Sequence, residues 1–179
     1  DLSLQHSSDR LLRAMKRPGS GHGHMELIQS IRMAAPDAAL RSSFIVGFPG
    51  EADDDVESLA GFLSSAQLDW VGLFPFSAEE GTPAAGFDRQ VPYEATMERL
   101  RYLQGTQDDI THSRNAAQVG RTLEVLVDQV EDGQAVGRSY REAPEIDGVI
   151  LLDGGRPGEW LTAEIRGAFG TDLEAMVSR

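Results

Sequence analysis

The residues best suited to chemistry lie at positions 40–51, Leu-Arg-Ser-Ser-Phe-Ile-Val-Gly-Phe-Pro-Gly-Glu. A β-rich apolar run passes into Gly47-Phe48-Pro49-Gly50-Glu51 and then into an acidic helix opening. Glycines let a backbone turn sharply and let a ligand come close to it. The carboxyl end of a strand is also where α/β sheets and barrels keep their sites. Two readings stand together at this stage, a ligand loop or a tight βα turn whose glycines serve geometry alone. Other candidates are weaker. His22 and His24 belong to a glycine-rich stretch, Gly19 to Gly23 and its flank, and read as a solvated loop and not as a metal site. Asp53, Asp54 and Asp55 open the next helix, where acids favour the positive end of its dipole, so capping outranks a cation site. The sequence has no cysteine, which excludes disulfides, thiolate metal ligands and a cysteine nucleophile.

The elements that must carry these residues follow from periodicity. Residues 1–5 alternate like the end of a strand, and Ser7 or Ser8 suits the cap of a first helix containing Leu11, Leu12 and Met15. A second helix presents Leu27, Ile28, Ile31 and Ala35 on one face until Pro36. The β-rich run from Leu40 that ends at Gly47-Phe48-Pro49-Gly50-Glu51 is expected as a strand buried on both faces. Val56, Leu59, Phe62, Leu63 and Ala66 form the apolar stripe of a third helix. Trp70-Val71-Gly72-Leu73-Phe74 reads as a second buried strand ending in Pro75-Phe76-Ser77. A long loop at 78–91 precedes an amphipathic helix marked by Met97, Leu100, Leu103 and Ile110. Residues 1–117 are thus parallel βα units. From Gly120 the pattern changes to period two, with a hairpin signal at Asp132-Gly133 and five short strands by residue 177. This predicts a small antiparallel OB-like β-barrel over residues 118–179.

Composition sets further bounds. The 179 residues allow one or two domains. No apolar run is long enough to cross a membrane. The opening Asp1-Leu2-Ser3-Leu4-Gln5 reads like the middle of a strand, so the chain is expected to be a piece of something longer. Net charge is −13, from 29 acidic and 16 basic residues. That balance repels phosphate backbones and suits a basic partner.

Several separated stretches, in order, resemble the second half of a radical S-adenosylmethionine methylthiotransferase. They are residues 4–15 beginning Leu-Gln-His-Ser-Ser-Asp-Arg, residues 43–51, and residues 71–77 with Glu80-Gly81-Thr82-Pro83. The tail, with Val136-Gly137-Arg138-Ser139 and Ala143-Pro144-Glu145-Ile146-Asp147-Gly148, resembles the TRAM domain that closes these enzymes. The Gln5-His6-Ser7-Ser8 spelling is similar to the RimO branch, which methylthiolates an aspartate of a small-subunit ribosomal protein. The tRNA-modifying branch, of the MiaB type, is the alternative within the family, and a non-catalytic partner-binding module is the alternative outside it.

The resemblance implies the C-terminal half of a radical-SAM partial (β/α) barrel over 1–117, followed by TRAM over 118–179. It implies S-adenosylmethionine as cofactor, lying across the strand ends. Gln5, His6 and Ser7 correspond to a ribose-contacting edge. Ser43, Ile45, Gly47 and Phe48 correspond to the adenine-packing strand, with Ser43 in place of a glycine. Phe74, Pro75 and Phe76 correspond to the strand that closes over adenine. Ser43, Ile45 and Gly47 share one face by alternation, while Arg41 lies at the opposite end of its strand and reads as structural. Two [4Fe–4S] clusters are implied for the parent, yet none of their six cysteines is here, so no catalytic residue or metal ligand is assigned and the chain is expected to be inactive alone. From Gly120 onward six Arg face twelve Asp or Glu, a balance of −6. This favours a basic ribosomal protein over nucleic acid as the main partner, with Glu142, Glu145 and Asp147 as the docking charges. A cytoplasmic location, no membrane, and self-association through the open edge at residues 1–5 complete the expectations.

Overall fold

Along the central strand Ser42, Phe44 and Val46 are buried while Arg41, Ser43 and Ile45 stay half-open. That alternation places one face of the sheet against helices and leaves the other partly free. The computed structural model describes residues 1–144 and 146–178. Two compact units result, Asp1–Gln107 and Asp108–Arg179.

In the first unit β1 (Leu2–Gln5), β2 (Arg41–Val46) and β3 (Trp70–Pro75) form a parallel sheet in the order β1-β2-β3. Between them run α1 (Asp9–Ala14), α2 (Gly21–Ala34) and α3 (Asp53–Ala66), and α4 (Tyr93–Ala116) follows β3. Parallel strands need such crossovers, so the βα reading of the sequence is the fold observed. Leu11, Leu12, Ile28, Phe44, Leu59, Leu63, Leu68 and Leu103 are fully buried together with the rest of the α3 stripe. Phe44 meets Phe62 edge-on at 6.0 Å between ring centroids. Burying each such side chain stabilises the fold by about 1.5–3 kcal/mol. Asp69 joins the starts of two strands, its carboxylate accepting the Leu40 amide at 2.8 Å.

Three expectations are corrected here. The loop expected over Gly19–Gly23 is helical from Gly21, because Ser20 caps α2 by accepting the Gly23 amide at 3.0 Å. Gly21 lies so near the Ser7 carbonyl that a Cβ would stand 2.2 Å from it, which fixes where the helix starts. The buried face of α2 is His24 and Ile28, while Leu27 is 43% exposed. Neither β2 nor β3 is buried on both faces, since the helices cover one side and Phe74 is 55% exposed on the other.

In the second unit β4 (Thr122–Glu131), β5 (Gln134–Arg138), β6 (Ile150–Leu152), β7 (Trp160–Phe169) and β8 (Asp172–Val177) close a barrel in the order β4-β5-β6-β8-β7. Its neighbours are antiparallel except β6 and β8, which run parallel because β7 lies between them in sequence. Asp132 and Gly133 both have positive φ, the geometry of a two-residue hairpin turn. Leu123, Val125, Val127, Ile150, Leu152, Ile165 and Leu173 fill the interior.

Helices α1 and α3 are also joined electrostatically. Asp55 accepts the Ala52 amide at 2.9 Å and pairs with Arg10. Burial pushes its carboxyl up, but the Ala52 amide, the Ser8 hydroxyl and Arg10 outweigh this and hold it below the ordinary 3.8. A depressed carboxyl stabilises the fold above its unfolded value, and the gain is lost as pH falls through the folded one. The expected outcome is that wild type exceeds Asp55→Asn in stability at pH 6. That gap should close progressively as pH drops below 3.8, as urea unfolding across pH will measure.

Candidate functional site

The site is built where β1 and β2 end. Strand β1 stops in a tight turn, with the His6 amide donating to the Leu4 carbonyl at 2.9 Å and Gln5 at φ 68°. His6 is then fully buried. Its Nδ1 accepts the Ser7 and Ser8 amides, both at 2.9 Å, so the ring proton sits on Nε2. That Nε2 faces Glu51 Oε2 at 3.6 Å.

Glu51 closes the turn that follows β2. Both carboxylate oxygens accept the Gly47 amide at 3.0 Å, and the side chain is 1% exposed. Arg99, from α4, donates to Glu51 Oε1 at 3.0 Å and to Asp53 at 2.8 Å. Arg10 donates to the Gly50 carbonyl at 3.0 Å. Gly47 has φ 80°, and a Cβ there would stand 2.3 Å from the Thr96 hydroxyl, so both backbone and space require glycine. The ligand-loop and turn readings are therefore not exclusive. The glycine is needed for geometry, and the geometry shapes a pocket.

That pocket has a volume of about 260 Å³. Ile45, Phe48, Phe76 and Phe87 give it an apolar wall, and Gln5 supplies a neutral polar group. Phe48 meets Phe76 edge-on at 5.1 Å and Phe87 at 6.2 Å, so the aromatic wall is internally packed. Of the sequence-predicted cofactor residues, Gln5, Ile45, Phe48 and Phe76 are brought together here. Ser43 and Phe74 lie on the same open sheet face as Ile45, since Ile45 pairs with Phe74 and Ser43 with Gly72. His6, Ser7 and Gly47 are buried behind the pocket wall, and Pro75 is exposed beside Val46. An apolar, aromatic pocket with a few polar groups is the usual form of a small-molecule site.

Sequence reasoning missed Arg99, Met15, Lys16, Arg17 and Phe87. Arg99 is 48 residues from the carboxylate it pairs with, which leaves no local signal. Phe87 did carry one, as a large apolar residue inside a polar loop. A 3₁₀ turn at Pro83–Gly86 turns that loop onto the aromatic wall.

In the barrel, Glu142 is not an exposed docking charge. Its Oε2 accepts the Ser139 amide at 2.9 Å and hydroxyl at 2.7 Å, and it is 6% exposed. Arg141, equally buried, lies 3.6 Å from Oε1 and donates to Asn115 at 3.2 Å. A buried carboxylate of this kind serves the fold because it has exchanged water for fixed donors. Asp147 is half-buried and accepts the Ala143 amide at 2.9 Å, while Glu145 lies outside the described residues. Among the described residues, no group of His, Asp and Glu is placed to hold a metal ion.

Residues 119–177 match the TRAM domain family. Over 178 residues the chain is 44% identical to a protein of Methylobacillus flagellatus named ribosomal protein uS12 methylthiotransferase RimO, covering 98% of this chain and 40% of that protein. Proteins of the same name from Moorella thermoacetica (49% identical, 86% of this chain, 35% of theirs) and Saccharopolyspora erythraea (42%, 97% and 36%) are also similar. The chain spans about two fifths of the length of the curated relatives it matches.

Removing the Glu51 carboxylate leaves Gly47 without an acceptor and Arg99 without its buried partner. Glu51→Ala should cost about 2–3 kcal/mol in urea unfolding, because the buried Gly47 amide is left unsatisfied while Arg99 keeps Asp53. Loss of 1 kcal/mol or less would show that water replaces the carboxylate.

Proposed function

The chain belongs to the RimO family of methylthiotransferases, and from that premise we propose that it forms the adenosyl-binding portion and partner-docking barrel of such an enzyme. The intact enzyme transfers a methylthio group to the β-carbon of an aspartate in ribosomal protein uS12, in the cytoplasm. The single observation that carries the binding role is the aromatic pocket at the carboxyl ends of β1 and β2.

S-Adenosylmethionine is the cofactor proposed for that pocket, and when bound it supplies the hydrogen-abstracting adenosyl group and the methyl. Ile45 and Phe76 would hold the adenine against the apolar wall that Phe48 and Phe87 complete. Gln5 offers an amide to the ribose from its turn. His6, Ser7 and Gly47, which do not line the pocket, would position these groups from the buried turns at the strand ends. Ser43 and Phe74 extend the same face beyond the pocket. The chain has no cysteine, so it offers no thiolate to the [4Fe–4S] clusters of the family and no step is derived through them.

The test is calorimetry with S-adenosylhomocysteine on the full-length enzyme. Ile45→Asp should weaken binding by at least tenfold while the melting temperature changes little, because Ile45 is half-open already. Unchanged affinity would remove the adenosyl assignment. The isolated 179-residue chain should bind S-adenosylmethionine weakly or not at all, and micromolar binding would refute the claim that the clusters anchor its methionine end.

Docking of the basic ribosomal protein rests on the acidic charge that stays outside. Glu124 and Glu131 of β4 are exposed, whereas Glu142 is turned inward. Charge complementarity of this kind raises association rate more than affinity. Reversing Glu124 and Glu131 to Lys should slow association with the ribosomal protein several-fold at low salt, measured by stopped flow, and strengthen nonspecific tRNA binding. Equal rates in wild type and variant would move docking off this face.

A further inference from the structure

Two segments that bring residues to the pocket meet on one buried imidazole, His24 near the start of α2. On one side lies the turn after β1, which presents Gln5 to the pocket and sets the His6 backbone beside the ring. On the other lies the connection from α1 to α2. There Met15, Lys16 and Arg17 line the pocket, and Pro18 and Gly19 lead on to the cap at Ser20. The ring fills the space under that connection. Gly19 has φ 102°, and a Cβ on it would stand 2.7 Å from His24 Nε2.

His24 is 9% exposed, and its Nδ1 has no hydrogen-bond partner. From α1, the charged side chain that acts on the ring is Asp9, whose carboxylate already accepts the Gly21 amide at 2.9 Å. From the β1 end His6 contributes its backbone, since its own ring is turned toward Glu51. On α2 itself, His22 and Glu26 pair with each other on the exposed side. Burial outweighs the His6 backbone, Asp9 and the Pro18 backbone, and holds the imidazole below the ordinary 6.5. A second ring proton would place a charge in the core and leave the Nδ1 proton with no acceptor. The ring escapes that cost only by moving, and the backbone that covers it is the connection at Gly19.

We propose that His24 is a pH-sensitive positioning residue: the neutral ring holds the turn at residues 15–19 against the pocket, and protonation frees that turn and weakens ligand binding. The neutral ring's contribution is present in full above pH 6.5 and is lost as pH falls below it, because the unfolded chain takes up the proton first. Movement of the turn follows from the buried ring alone, whereas its effect on a ligand rests on the adenosyl reading given above.

The experiment uses the full-length enzyme with His24→Gln, a ring-sized second variant His24→Phe, and His22→Gln as an exposed-histidine control. Two readouts are compared at about pH 8 and about pH 5.5, on either side of the histidine range. One is hydrogen exchange at the Lys16 and Arg17 amides, which donate to the Arg13 and Leu12 carbonyls at 3.1 and 2.9 Å. The other is calorimetry with S-adenosylhomocysteine. In wild type and His22→Gln, affinity and amide protection corrected for the intrinsic rate should both fall about threefold at the lower pH, as when roughly a third of the molecules keep the competent turn. In His24→Gln and His24→Phe neither should change with pH. A histidine that served only the core would lower the melting temperature of both variants and leave their pH response equal to that of wild type, which would overturn the proposal. Exchange that responds to pH while affinity does not would overturn the link from the turn to the pocket. Wild type that binds no S-adenosylhomocysteine at either pH would remove the adenosyl reading, and the exchange ratios would still decide whether His24 holds the turn.

Discussion

The buried carboxylate of Glu51 holds the site end of the first unit in place. It accepts the Gly47 amide with both oxygens, meets Arg99 from a distant helix, and faces the Nε2 of His6. Three segments far apart in sequence are thereby joined at one side chain. A buried pair of this sort adds little net stability compared with a well-packed apolar substitute, but it is costly to break and strict in geometry. The strand ends are accordingly set by charge and hydrogen bonds, while apolar packing of Phe44, Leu59 and Leu63 sets the sheet behind them.

The barrel uses the same device for another end. Glu142 and Arg141 are buried in the segment after β5, tied to Ser139 and Asn115. Asn115 in turn donates to the Gly170 and Thr171 carbonyls at 3.2 and 2.9 Å, which fastens the last turn of α4 to the β7–β8 hairpin. Part of the acidic composition is therefore spent inside the fold. The remainder that stays exposed includes Glu124, Glu131 and Asp132 of the β4–β5 turn.

The pocket combines two requirements that pull against each other. Its wall is apolar, with Phe48 packed edge-on against Phe76 and Phe87. Its polar groups, Gln5 and Lys16, must project from a backbone that turns sharply, and both sit in left-handed conformations as a result.

By itself the sequence determined the order of βα units, the apolar stripe of α3, the hairpin at Asp132-Gly133 and the barrel that follows, because these depend on local periodicity and turn chemistry. It also located the strand ends and named Gln5, Ile45, Phe48 and Phe76, which line one pocket. Tertiary structure decided what no local pattern records. His24 is buried in a helix because Ser20 caps it and Gly21 fits against Ser7. Arg99 reaches a carboxylate 48 residues away. Glu142 is turned inward because donors meet it there, although its sequence neighbours look like a solvated loop. Burial of a polar group depends on which partners the folded chain brings to it, and those partners are set by the three-dimensional path, not by spacing along the sequence.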